Sequence, residues 1–323
     1  MGVTIEAVDP RGHAAEAAAV LQAAWAPPRL RYAPEDLAWQ FARPGWGPPR
    51  AWLARNGAGE PVGFAAALPR TVRFAGRPYP VWLCSYYAAL ASGHGAAVAL
   101  LRAEVRDLKA TGRPTVVFAA PGSAGEAMLR VNDAAGLRRN TLAQARVHGG
   151  VGAADGPAGV EVREAAPADA RELADLLALD RRDGAIGEAV DPAALAHDAL
   201  DPRGRCWAVV RGPSGALLAA ACAHLAETVA ADGPARVPTL SAVTLPREGD
   251  GDALAGLVGF AARRWADRAT TPVVTVPNPA GISPAALRAA RLRALPASWA
   301  AYVFCADPAD PLLAARSTTL EVI

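Results

Sequence analysis

VWLCSYYAALASGHGAAVALLRAEV, residues Val81 to Val105, changes character twice along its length. Val81–Leu90 is apolar and aromatic with almost no charge, the pattern of a buried strand. Ser92-Gly93-His94-Gly95 follows, too small and too polar to continue it. From Ala96 to Lys109 the apolar residues Leu100, Leu101, Val105 and Leu108 recur at helical spacing, which predicts an amphipathic helix. A strand that feeds a helix through a glycine turn leaves the first helical amides unpaired and aimed outward, where the helix dipole favours an anion. Gly93 and Gly95 permit close approach and positive φ, and Ala96 and Ala97 leave room above the turn. Such a turn suits a diphosphate.

Upstream, the pattern predicts a strand over 3–8, an Ala-rich helix over 14–24 stopped by Pro27 and Pro28, and a second helix over 34–41. A hairpin follows, from 51–55 through the Asn56–Gly59 turn to 61–68. Downstream come a buried strand over 115–120, a helix over 125–135 and a strand over 141–148. The Gly/Ala stretch from Gly149 to Gly159 has no apolar periodicity and reads as a linker. Beyond it the same order recurs: strand 160–165, helix 167–179, hairpin 206–227, long strand 237–245, helix 252–266, strand 272–276, helix 284–295 and strand 299–304, with the tail 317–323 as a possible edge strand. This weak internal repeat predicts two tandem domains, 1–148 and 160–323, of the α/β class with a mixed sheet. A chain of 323 residues is long enough for two cores.

The order of elements and the glycine turn resemble the Gcn5-related N-acetyltransferase (GNAT) superfamily. That family marks its acyl-CoA pyrophosphate loop with Gln/Arg-x-x-Gly-x-Gly/Ala at this strand-to-helix junction, and Ser92-Gly93-His94-Gly95-Ala96-Ala97 is similar to its last fixed positions. Gly59–Leu68, GEPVGFAAAL, resembles the family's G-x-x-V-G hairpin. Gly125–Leu137 has the spacing of its later helix with a closing Gly-Phe, and Gly159–Leu177 is similar to its opening strand and helix. The resemblance implies two tandem GNAT-like domains and acyl transfer from acetyl-CoA or another acyl-CoA to a small-molecule amine. It places the donor along Ala89, Leu90, Ser92, Gly93, His94, Gly95, Ala96 and Ala97, with the thioester carbonyl near the amides of 88–90. Ser85, Tyr86 and Tyr87 are the polar groups nearest the reacting end. Alternation puts the two tyrosines on opposite faces, so at most one meets substrate.

Three departures bear on mechanism. Ser92 stands where the family has Gln or Arg, and Ala96 where it often has a cation. Asn132 occupies the place of the tyrosine that protonates the departing thiolate; an amide donates a hydrogen bond but no proton at neutral pH. In the second half the equivalent loop, Leu245 to Asp252, carries Glu248, Asp250 and Asp252, which occupy the positive end of a helix and repel phosphate. The first copy is therefore the expected donor site and the second a degenerate one. The segment Trp25–Arg50 is the expected acceptor wall, with Trp25, Tyr32, Trp39 and Trp46 beside Arg29, Arg31 and Arg43 as an aromatic and cationic rim.

Residues 1–150 carry 17 Lys+Arg against 10 Asp+Glu and the remainder 16 against 21, so a first half of +7 precedes a second of −5. A basic first half leaves two other donors open: an acyl group on a carrier protein's phosphopantetheine, or an aminoacyl-tRNA. A catalytically inactive binding module of the same fold is the third reading. No basic block suggests DNA. Cys84, Cys206, Cys222 and Cys305 are too scattered for a disulfide framework or a zinc site, so no metal is expected. No run approaches the roughly 18 apolar residues of a membrane span, and no secretory leader is visible at the start of the sequence, so a cytoplasmic location is expected.

Overall fold

The computed structural model describes residues 2–25, 29–44, 47–75, 77–120, 125–152, 161–179, 187–188, 192–198, 201, 204–230, 233–245, 250–277 and 282–315. They form two compact units, and neither unit is one continuous stretch. The first contains 2–72, 78–143 and 299–315; the second contains the described parts of 73–77 and 144–298. The expected tail strand, 317–323, lies outside the described residues.

In the first unit the elements are β1 (Thr4–Val8), α1 (Ala14–Ala24), a two-residue β2 (Arg29–Leu30), α2 (Pro34–Phe41), β3 (Arg50–Arg55), β4 (Pro61–Phe74), β5 (Arg77–Ala89), α3 (Ala96–Lys109), β6 (Thr115–Ala119), α4 (Gly125–Ala134) and the start of β7 (Arg138–Val151). Within this unit the strands run β1-β3-β4-β5-β6, and β6 pairs next with residues 300–304. β3 is antiparallel to β1 and to β4, and β6 is parallel to β5. Trp52, Ala65, Trp82, Leu100, Leu101, Leu108 and Phe304 build the core under α3. On the other face Phe41 of α2 lies 6.4 Å from Phe64, ring to ring.

The second unit repeats this plan with β8 (Glu161–Glu164), α5 (Ala170–Leu179), a two-residue β9 (Gly187–Glu188), α6 (Pro192–Asp198), β10 (Cys206–Arg211), β11 (Leu217–Ala230), β12 (Gly233–Thr244), α7 (Asp250–Arg264), β13 (Val273–Val276), α8 (Pro284–Ala289) and the start of β14 (Arg293–Cys305). β8, β10, β11 and β12 pair antiparallel in turn, β13 is parallel to β12, and the sheet closes on residues 148–151 of β7. Leu240, Leu254, Leu257 and Trp265 fill the α7 face. Leu173, Leu195 and Trp207 fill the α5–α6 face.

Each sheet is thus completed by a strand from the far half of the chain, β14 for the first and β7 for the second, which corrects the boundary expected at 148. The stretch read as a linker begins as strand: Val151, Gly150 and Gly149 pair with Val273, Val274 and Thr275. Its glycines answer close packing rather than looseness, since a Cβ on Gly150 would lie 2.5 Å from the Arg291 carbonyl oxygen. Residues 153–160 lie outside the description. The helix expected to run to Leu295 stops at Ala289, because Arg291 takes a left-handed φ of 55° and the Leu292 amide bonds back to Leu287 at 2.8 Å. The first unit closes α4 the same way, with Gly136 at φ 75° and Leu137 N–H on the Asn132 carbonyl at 3.2 Å.

Asp169, 3% exposed, ties the second unit's first turn to its sheet. It accepts from Arg163 at 2.6 and 2.9 Å, from Arg211 at 2.5 Å and from the Ala166 amide at 2.6 Å. These contacts, the Arg163 bond first, hold its carboxyl well below the usual aspartate range. Asp169→Ala is expected to cost about 2 kcal/mol in urea denaturation at pH 7. A carboxyl held low contributes stability above its unfolded pKa and loses it as pH falls through the folded one. The gap between wild type and variant is therefore expected to close only below pH ~4; a gap that stays constant from pH 7 to 2 would refute the assignment.

Candidate functional site

β5 and β6 part company. Their register runs Trp82↔Thr115, Leu83↔Val116 and Cys84↔Val117, and there it ends, while β5 continues to Ala89. The far end of β5 stays with β4, because the Leu90 amide donates to the Val62 carbonyl at 2.8 Å. That contact corrects one expectation: Leu90 has no free amide to polarise a carbonyl. Successive strand amides point to opposite edges, so the amide of Ala89 faces the edge that β6 has left.

The side chains show how β5 turns there. Trp82 and Cys84 belong to the α3-side core, and so does half-buried Tyr87. Three positions from Cys84 to Tyr87 on one face require one extra residue, a bulge. Tyr86 accordingly points the other way, buried, with its hydroxyl donating to Gln40 and its ring 5.5 Å from Phe41 and 6.2 Å from Tyr32. The same device occurs in β12, where the register with β11 shifts between Ala220 and Cys222 and Ala242 takes φ 48°. Ser85 is exposed.

The turn after β5 is open on its outer side. Gly93 is buried with no room for a side chain, since a Cβ would sit 2.8 Å from Val62 Cβ. Gly95 holds φ 81° and caps α3 with nothing within 4 Å of where a Cβ would be. Ser92 and His94 are exposed, Ala96 is buried and Ala97 half-buried. The turn uses the Gly93 and Ala96 amides internally, on Leu90 and Gly93 at 3.0 and 2.8 Å. Those of His94, Gly95, Ala97 and Val98 donate to no acceptor among the described residues. No side chain caps the helix, and its first turn holds no acid. The α7 start in the second unit differs in charge, with Asp250 and exposed Asp252; Glu248 lies outside the described residues.

Sequence reasoning missed Glu104. It is fully buried on α3, and neither carboxyl oxygen has a hydrogen-bond partner of normal geometry among the described residues. Burial pushes its pKa to about 7, with the neighbouring Cys84 thiol pulling weakly the other way. The Cys84 thiol is itself raised, by burial first and then by Glu104. Tyr87 is pushed up to about 12 by burial first and then by Glu104. The signal was present: residue 104 falls four positions after Leu100 and four before Leu108, in the middle of the apolar stripe.

Asn132 does not belong with this group. It is 2% exposed, and its amide nitrogen donates to the Met128 carbonyl of its own helix at 2.8 Å, so its role is to finish α4. In the expected acceptor wall Trp25 meets Tyr32 edge-on at 6.0 Å, which extends the Tyr32–Tyr86–Phe41 chain of rings. Arg43 is buried rather than part of an exposed cationic rim, and Trp46 lies outside the described residues. Among the described residues no group of His, Cys, Asp and Glu could hold a metal, and no helix is long and apolar enough to cross a membrane.

Neither a family model nor a curated relative matches the sequence. Solved structures do match in fold. N-myristoyltransferase of Saccharomyces cerevisiae, solved with bound myristoyl-CoA, is 12% identical, with a TM-score of 0.67 over 95% of this chain and 80% of its own. A tandem GNAT protein from the clavulanic acid biosynthesis pathway is 16% identical, with a TM-score of 0.63 over 96% of this chain and 100% of its own. A Gcn5-related N-acetyltransferase from Sphaerobacter thermophilus, also 16% identical, has a TM-score of 0.59 over 93% of this chain and 95% of its own.

Proposed function

We propose that this chain, which has the tandem GNAT fold, is an N-acyltransferase that moves an acyl group from a CoA-type thioester to the amine of a small molecule. The observation that carries this reading is the pairing of two features in the first unit: strands that separate after Cys84↔Val117, and an uncapped, acid-free helix start at Gly95 directly beyond them. The first gives an extended pantetheine arm a backbone edge to lie along. The second gives a pyrophosphate unpaired amides and the positive end of a 14-residue helix. Ser92, Gly93, His94, Gly95, Ala96 and Ala97 form that cradle, and Ala89 supplies the amide nearest the thioester.

In this reading the free amine attacks the thioester carbonyl, whose developing negative charge the Ala89 amide stabilises. Collapse of the tetrahedral intermediate expels a thiolate, and the amine's surplus proton leaves to solvent. Tyr87 is the residue assigned to the thiolate, as hydrogen-bond donor. It stands past the point where the strands part, and its raised pKa keeps the phenol protonated throughout the neutral range. Tyr86 is a wall residue whose hydroxyl is committed to Gln40.

Val98 offers a test that does not disturb the fold. It is 47% exposed in the first turn of α3, where a carboxylate complements the helix dipole but opposes a bound phosphate. Val98→Glu is expected to melt at or slightly above the wild-type temperature and to bind acetyl-CoA about 10-fold more weakly, read by calorimetric titration. Unchanged affinity would remove the donor cradle from α3. A melting temperature that responds to acylated carrier protein or aminoacyl-tRNA and not to acetyl-CoA would replace CoA as the donor.

A further inference from the structure

At the start of β13, the end of the second unit's sheet away from its own strand-to-helix loop, two hollows adjoin. One, of about 590 Å³, is lined by Arg288, Arg291, Arg293, Leu292 and the backbone from Gly149 to Gly152. The other, of about 340 Å³, is walled mainly by Pro238, Ala262, Ala266, Ala269 and Pro272. Val151 and Gly152 line both. Val151 is 57% exposed, one of four large apolar side chains left so in the described chain.

We propose that these hollows form one binding site for a small amphiphilic anion, a phosphate or carboxylate group on an apolar body. Three arginines, all exposed, line the first hollow, and no acidic residue does. None of the three makes an ion pair or side-chain hydrogen bond with a described residue, although the 151–323 half of the sequence carries five more acids than bases. Three like charges on the rim of one hollow, with no ion-pair partner among the described residues, are a recognition surface for an anion, and arginine's planar fork suits oxyanions.

The backbone points the same way. Arg291 sits at φ 55°, a conformation that costs a residue with a Cβ about 1 kcal/mol and that the first unit assigns to Gly136 at φ 75°. The second unit therefore bears strain to keep an arginine where glycine fits. It also keeps Gly150 beneath it, because any side chain there would strike the Arg291 carbonyl. The apolar hollow beside Val151 gives the ligand's body a place to leave water.

Arg291→Gly makes the inference testable, because glycine relieves the left-handed strain and the variant should fold at least as well as the parent. Decyl phosphate, inorganic phosphate and decanol are titrated into the full chain below micelle concentration. Decyl phosphate is expected to bind at least 10-fold more tightly than inorganic phosphate or decanol. Arg291→Gly and Arg293→Gln are each expected to weaken it about 10-fold with no fall in melting temperature, and Val98→Glu, at the donor cradle, to leave it unchanged. The inference fails if decyl phosphate binds no better than decanol, if Arg291→Gly keeps the parental affinity, or if Val98→Glu is the variant that loses it. That last outcome would move the ligand to the first unit's acyl site and leave the reading of that site standing.

Discussion

Replacing Glu104 by methionine is expected to stabilise the protein by about 3 kcal/mol at pH 8 and by much less at pH 4. Burial pushes the carboxyl up to about 7 in the folded chain, from 4.5 for an exposed glutamate. The folded state therefore binds this proton more tightly than the unfolded state. Stability is fully present below pH 4.5 and is lost as pH rises to about 7, at roughly 1.4 kcal/mol per pH unit. No positive charge faces Glu104, and the Cys84 thiol offsets only part of the loss. Cys84 is a neutral thiol and Tyr87 a neutral phenol in this range, and its neighbours along the helix stripe, Leu100, Leu101 and Leu108, are apolar. Methionine matches the volume, removes the unpaired oxygens and takes away the proton-linked slope. Glu104→Gln should also remove the slope but gain little at any pH, because a buried amide still lacks partners. Urea denaturation at half-unit steps from pH 4 to 8 measures all three proteins. Parallel curves for wild type and Glu104→Met would show that this carboxyl is solvated or paired.

Much of this architecture is legible in the residues, and the illegible parts share a cause. α1, α2, α3 and β10 fall where periodicity, proline stops and turn glycines put them, because local pattern and burial agree there. The opposite orientation of Tyr86 and Tyr87 follows from strand alternation. The exchange of β7 and β14 between the two sheets could not be read, since strand pairing depends on contacts between residues 119 and 300, or 151 and 273, which no local pattern encodes. The glycines at 149–152 mislead for a related reason: Gly149, Gly150 and Gly152 answer atoms of Leu295, Arg291 and Val258, far off in sequence. Arg291 ended its helix without a glycine, so the usual stop signal was missing. Glu104 was legible in principle as a charge inside an apolar stripe, a conflict between local pattern and residue type that often marks a functional or strained position. Asn132 had the spacing of a catalytic position and the surroundings of a structural one, and only burial separates the two.

Tyr87→Phe is expected to lower kcat for acyl transfer from acetyl-CoA by about 100-fold with KM for the donor nearly unchanged, the pattern for a group that acts only as the leaving sulfur becomes charged. The phenol stands on the stretch of β5 that β6 has left, half-buried, so it can reach a bound thioester while staying out of bulk water. Burial and the nearby Glu104 push its pKa to about 12, which keeps the hydroxyl protonated and makes it a steady hydrogen-bond donor over the whole assay range. Rates should therefore show no basic limb from this residue below pH 10. Tyr86→Phe is the matched control. It breaks the bond to Gln40 and leaves a part-buried amide oxygen short of a donor, which should cost about 1 kcal/mol of stability while kcat stays within a factor of 3. Single-turnover rates separate the chemical step from product release. If Tyr87→Phe keeps kcat within that same factor, or if Tyr86→Phe proves the more damaging change, the departing thiolate is served from the other face of β5 and the reacting end of the site has to be redrawn around Gln40 and Tyr32.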